Sequence, residues 1–96
     1  MSNPIIFSLD ERKIELKDAA FTLLDGRERK ISAAEQAVLL RMVHATGIAD
    51  YVPANPPKSI LAHLKHNKLV DRETERPTED GQYIAGVLLG RSLAVE

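Results

Sequence analysis

The side chains best suited to chemistry cluster between positions 58 and 76. Lys58, Lys65 and Lys68 lie in a stretch, residues 58–69, that holds no acid and adds His63 and His66. Arg72 and Arg76 follow, interleaved with Asp71, Glu73 and Glu75. Lysine and arginine neutralise phosphates in a salt-dependent way, and small or imidazole side chains on one helix face can meet base edges in a major groove. With residues 57–67 helical, Ser59, His63 and His66 fall near one outer strip, with Lys58, Ala62 and Lys65 beside it. The candidate contacts to duplex DNA are therefore Lys58, Ser59, Ala62, His63, Lys65, His66 and Lys68, with Arg72 and Arg76 reaching along the flanking backbone. The plainer reading is a solvated polar face, and the three acids of 71–75 would repel phosphates.

His63 and His66 also stand three apart on that helix, a spacing that can ligate a metal. The chain has no Cys, so a third ligand would have to come from His44 or Asp71. The pair is therefore read as polar surface, and no metal or other cofactor is expected. Asp25-Gly26 followed by Ile31 and Glu35 lacks the carboxylate spacing of a calcium loop. There is no nucleophile elbow and no Gly-rich phosphate loop, and the carboxylates are scattered among bases rather than paired. The expectation is a binding protein and not an enzyme.

Several elements must position these residues. Ser32 with Glu35 at the third helical position forms a capping box before an apolar run. Val38, Leu39, Met42 and Val43 then make a buried stripe, and Gly47 suits a stop. Ile48–Val52 allows one helical turn, limited by Pro53. Asn55 reads as the cap of the basic helix, with Pro56 at its first position. Ile60, Leu61 and Leu64 face inward. A charged hairpin is expected over Asp71–Pro77. Thr78 caps a last helix, about residues 79–93, whose acidic start suits its dipole. That helix carries two apolar faces: Ile84, Val87 and Leu88 on one, and Tyr83, Gly86, Leu89, Gly90 and Leu93 on the other. The second face, with its Gly86-x-x-x-Gly90 spacing, is the candidate seam of a homodimer.

Residues 9–25 admit two readings. Leu16, Ala20, Leu23 and Leu24 share a helical face, Ser8 and Glu11 suggest a capping box, and Gly26 suits a stop. The alternative is a hairpin in which Phe7 and Leu9, then Ile14 and Leu16, alternate about a turn at Asp10-Glu11. The abundance of helix formers favours the helix.

Composition bounds the rest. A chain of 96 residues suits one domain, residues 1–96. Two Phe, two Tyr and no Trp imply an aliphatic core, as packed helices have. The longest uncharged run, Gly81 to Gly90, is ten residues, against about 20 for a membrane span. Met1-Ser2-Asn3-Pro4 lacks a signal-peptide pattern. No membrane association and a cytoplasmic location are expected. The net charge of −1 argues against indiscriminate coating of nucleic acid.

Leu61-x-x-Leu64-x-x-x-Lys68-Leu69-Val70-x-Arg72 and Thr78-x-x-Gly81 resemble the winged helix-turn-helix superfamily, in particular ArsR- and MarR-type bacterial regulators. Ile31-Ser32-x-x-Glu35-x-x-Val38-Leu39 is similar to their core helix, so the likeness covers roughly residues 31–90. Lys68 stands where those families have Gly, which leaves any left-handed turn to Asn67, and Pro77 replaces a Leu. The resemblance implies a mainly α chain with a short β wing (α+β): a winged helix-turn-helix three-helix core plus a C-terminal helix. It implies a DNA-binding transcriptional regulator, reading duplex DNA with helix 57–67 and a wing at 70–77, and working as a homodimer. The alternative is a winged-helix protein-interaction module without DNA binding, favoured by the Pro-rich loop and the near-neutral charge.

Overall fold

The computed structural model describes residues 4–9, 12–44, 47–49 and 57–90. Its first third is two antiparallel hairpins, not a helix. Strand β1 (Ile5–Leu9) pairs with β2 (Arg12–Leu16), with Ile5 opposite Leu16 and Phe7 opposite Ile14. All four of these apolar side chains are buried. Period-two alternation on both strands thus places one continuous apolar face on the core. Strand β3 (Ala19–Thr22) pairs with β4 (Glu28–Ile31) in a second, two-stranded sheet.

The helix expected over 9–25 is therefore corrected. Ser8 pairs with Lys13 in the ladder rather than capping a helix. Gly26, at φ 88°, turns the second hairpin rather than ending a helix. Helix propensity lost here because cross-strand burial of Ile5, Phe7, Ile14 and Leu16 outweighs a few tenths of a kcal/mol per residue. Phe7 and Phe21 both enter the core from strands, so the interior is not the purely aliphatic one expected of packed helices.

Helix α1 (Ala33–Val43) begins with the expected capping box: the Ser32 side chain accepts from the Glu35 N–H, and Glu35 reaches back to the Ser32 N–H. Val38 and Leu39 are buried, and Met42 and Val43 pack at the core margin. The Gln36 side chain, 1% exposed, donates to the Lys17 carbonyl (2.6 Å) and the Ile31 carbonyl (2.9 Å). Asp18 accepts from the Ala33 N–H at 2.8 Å. The helix start is thereby tied to the ends of both hairpins.

The helix ends before Gly47. That glycine is buried instead against the Phe7 ring, which a Cβ there would overlap. Ile48–Ala49 forms strand β5, paired with Phe7 and Ser8 on the free edge of β1. The expected helical turn over 48–52 is thus not formed at its start, and residues 50–56 lie outside those described. Helix α2 (Lys58–His66) has Pro57 as its N-cap, so the cap expected at Asn55 is corrected.

The C-terminal end of α2 closes with a Schellman arrangement. The Leu69 N–H donates to the Leu64 carbonyl at 2.9 Å and the Lys68 N–H to Lys65 at 3.0 Å. Leu64 and Leu69 are both fully buried beneath it. The left-handed residue is Lys68 itself, φ 62°, while Asn67 keeps φ −81°. The expected wing is reduced to a single bridge, Val70 with Pro77, around a tight turn. Helix α3 (Glu79–Gly90) follows, and Thr78 caps it by accepting from the Gly81 N–H. Gly81 sits so close to the Leu69 carbonyl that a Cβ would collide with it.

Among the described residues the architecture is accordingly a small α+β fold of two hairpins, the short strand β5 and three helices. The mainly α, winged helix-turn-helix three-helix core with a further C-terminal helix is overturned by the two hairpins at the front of the chain and by the collapse of the wing to one bridge. Among the described residues, no helix is long and apolar enough to cross a membrane.

Two substitutions test this account. Gln36→Leu takes the side-chain donor from the buried Ile31 carbonyl and the partly buried Lys17 carbonyl, and should lower unfolding stability by about 2 kcal/mol in urea denaturation. Lys68→Gly relieves the left-handed strain, offset by glycine's extra unfolded-state entropy, and should raise stability by about 0.5–1 kcal/mol.

Candidate functional site

Helix α2 is amphipathic because its apolar residues, Ile60, Leu61 and Leu64, recur at helical spacing. Leu64 is fully buried against α1, with Ile60 and Leu61 at the margin. Lys58, Ser59, Ala62, His63 and His66 are then left exposed on the opposite side. Lys68, Arg72 and Arg76 are exposed just beyond it. Lys65 is half-buried and forms an ion pair with Glu75 at 3.2 Å. Both partners are partly solvated, so the pair adds little stability, but it occupies Lys65.

The turn after α2 organises its own acids. The Asp71 carboxylate accepts from the backbone N–H of Glu73 (2.8 Å) and Thr74 (3.0 Å). These bonds, Thr74 first, hold the Asp71 pKa below the usual aspartate value. Glu75, at φ 56°, is turned so that its carboxylate meets Lys65. Arg72 and Arg76 are left exposed on the same loop. Between α2 and this loop lies a shallow groove of about 660 Å³ lined by Ala62, His63, Lys65, His66 and Arg72. That lining carries two cations and two imidazoles and no carboxylate.

Two features set the cations apart from an ordinary solvated face. Lys58 occupies the first position of a helix that lacks a side-chain cap, where the dipole is unfavourable to a positive charge. Lys68 occupies a left-handed position that glycine would fill with less strain. Neither lysine is placed where folding alone favours it.

A feature the sequence reading missed lies beside this face. Glu35, which the sequence marks as the capping-box residue, is 7% exposed and shares a second cleft with His63. Its neighbours in that cleft are legible only from the tertiary arrangement, because Asp18 and Ala20 lie at the start of β3 and His63 on α2. Among the described residues, no group of three or more His, Asp and Glu gathers as a metal site would require.

On α3, Ile84, Ala85 and Leu88 face the core. Tyr83, Gly86 and Gly90 are exposed and Leu89 is half-buried. Leu93 lies outside the described residues.

Searches against family models, curated proteins and solved structures return no match. The likeness to winged-helix regulators therefore rests on the short motifs alone.

Asp71 supplies a pH signature for the turn. A carboxylate whose folded pKa is depressed stabilises the fold above its unfolded pKa, and that contribution is lost as pH falls through the folded value. Acidification below the usual aspartate value of 3.8 should loosen the 71–76 turn. An NMR titration should show the Glu73 and Thr74 amides losing their shifts together, and Asp71→Ala should abolish the transition.

Proposed function

We propose that the chain binds duplex DNA through the outer face of α2 and the adjoining 71–76 turn, the activity of a transcriptional regulator. The observation that carries this reading is the position of Lys58 and Lys68: two exposed cations at the ends of α2, the first set against the helix dipole and the second on left-handed backbone that glycine would adopt with less strain. Their spacing suits the ligand. A nine-residue helix is about 14 Å long, and it presents a small-residue and imidazole strip at Ser59, Ala62, His63 and His66 between the cations at its two ends. A helix of that size enters a major groove about 12 Å wide. Arg72 and Arg76 extend the positive rim, while Asp71 and Glu75 are engaged within the turn and on Lys65. The negative net charge of the whole chain leaves the rest of the surface ill-suited to phosphates, which favours docking in one orientation.

The outward strip of α3 supports pairing of two copies. Among the described residues, Gly86 and Gly90 have nothing within 4 Å of where a Cβ would stand, so a second helix can approach closely. A two-fold dimer would present two α2 faces to paired half-sites.

Fluorescence titration on mixed-sequence duplex tests the first claim. With about four phosphates neutralised, affinity should fall about 100-fold between roughly 50 and 200 mM salt. Lys68→Gly should weaken binding and lower the salt slope by about one while the melting temperature rises. Loss of affinity in a stabilised protein cannot be ascribed to unfolding. Absence of binding at low salt would leave the interaction-module reading in its place. For the dimer, sedimentation should return twice the chain mass for the wild type and the chain mass for Tyr83→Glu.

A further inference from the structure

The cleft shared by Glu35 and His63 is a separate opportunity for chemistry. It opens between the β3–β4 hairpin and the helices, encloses about 500 Å³, and is lined by Asp18, Ala19, Ala20, Lys30, Ile31, Ser32, Glu35 and His63. That volume is in the range of small-molecule sites. Ala19, Ala20 and Ile31 give it an apolar wall.

Glu35 is the polar group at its base. Its side chain is nine-tenths buried. One carboxylate oxygen, Oε1, accepts from the Ser32 hydroxyl at 2.9 Å and the Ser32 N–H at 3.3 Å. The other, Oε2, is buried with no hydrogen-bond partner among the described residues. His63 Nδ1 is 3.9 Å from Oε1, beyond hydrogen-bond length. Lys30, the cation in the lining, makes no ion pair with Glu35 within 4.0 Å in the described structure.

A buried carboxylate oxygen without a donor is costly, and a charged one more so. The capping box needs only Oε1, so Oε2 is not explained by the helix start. Glu35 lines the cleft, and its terminal torsion is broad, so a small swing of the carboxylate is enough to bring Oε2 to a donor seated there. The complement is a hydrogen-bond donor carrying positive charge, small enough for the cleft, with an apolar stem for the alanine wall. A guanidinium fits best, because its planar fork can serve both oxygens of one carboxylate.

We propose that this cleft binds a small organic cation, a guanidinium on an apolar stem, with Glu35 as the anchor and Ala19, Ala20 and Ile31 as the stem's wall. The cleft shares His63 with the proposed DNA face, but neither Lys58 nor Lys68 lines it, so loss of DNA binding and loss of cation binding are separately readable.

The test uses n-butylguanidinium as the probe and n-butanoate as its anionic counterpart, added to the full chain and followed by NMR. The expected result is saturable binding of the cation, with shifts at Ala19, Ala20, Ile31 and His63, and none with butanoate. Glu35→Gln keeps the capping box, because a Gln carbonyl can also reach back to the cap, but replaces the free acceptor by a donor. It should weaken the cation at least about tenfold. Should that variant fail to fold, Ala20→Trp fills the cleft from an exposed strand position and should abolish binding with the fold intact. Equal affinity in either variant, binding of butanoate, or shifts that map elsewhere would each overturn the proposal.

Discussion

The Gln36 side chain, donating to carbonyls at Lys17 and Ile31, ties together three pieces of chain whose apolar faces share one core. Its two acceptors end the first hairpin and the second, and its own backbone belongs to α1. A buried amide of this kind adds little net energy when satisfied, but breaking it takes the side-chain donor from the buried Ile31 carbonyl. It therefore acts mainly as a constraint on geometry. Asp18 adds to it by accepting from Ala33, and the Ser32–Glu35 box fixes where the helix starts. Once α1 is fixed at that junction, its apolar stripe defines where Leu64 of α2 and Ile84 and Leu88 of α3 must settle.

The outer face of α2 follows from this packing. Burial of Leu64 and Leu69 fixes the helix rotation, and rotation alone decides that Lys58, His63 and His66 meet solvent. The close approach of Gly81 to the Leu69 carbonyl then brings α3 against the end of α2 and leaves the intervening residues, 71–76, no route except a tight turn. Two non-glycine residues take left-handed backbone on that path, Lys68 and Glu75. Strain of this sort is retained where side chains have work that glycine cannot do. Glu75 ties down Lys65, and Lys68 projects charge beside the helix end. The proposed DNA face and the proposed cation cleft meet at His63, one lying along the outer helix surface and the other beneath it toward β3.

Much of the helical part was legible from local pattern. The capping box at Ser32, the inward Leu64, the cap at Thr78 and the outward basic strip all depend on residues three or four apart, and these interactions exist within a single helix. The hairpins were not legible in the same way. Ile5, Phe7, Ile14 and Leu16 alternate over short runs, and the intervening Glu, Arg and Lys have helical preference, so the pattern supported both readings. A signal for the second hairpin was present in Asp25-Gly26 between Phe21 and Ile31, since Asp-Gly favours the positive φ of a hairpin turn. Gly26 equally suits a helix stop, so the local pattern alone does not decide between them.

The sequence by itself determined where helices begin and which of their faces are apolar, because capping and amphipathicity are local. Tertiary structure alone decided that residues 5–9, 12–16, 19–22 and 28–31 pair as strands, that Gly47 and Gly81 serve close approach, and that Lys68 takes the left-handed turn. It also decided that Glu35 retains an unpaired oxygen within reach of a cleft. Each of these depends on which distant segment lies opposite: a strand's partner, an aromatic ring, a carbonyl. Such pairings are set by burial in the assembled core, which no short window of sequence contains.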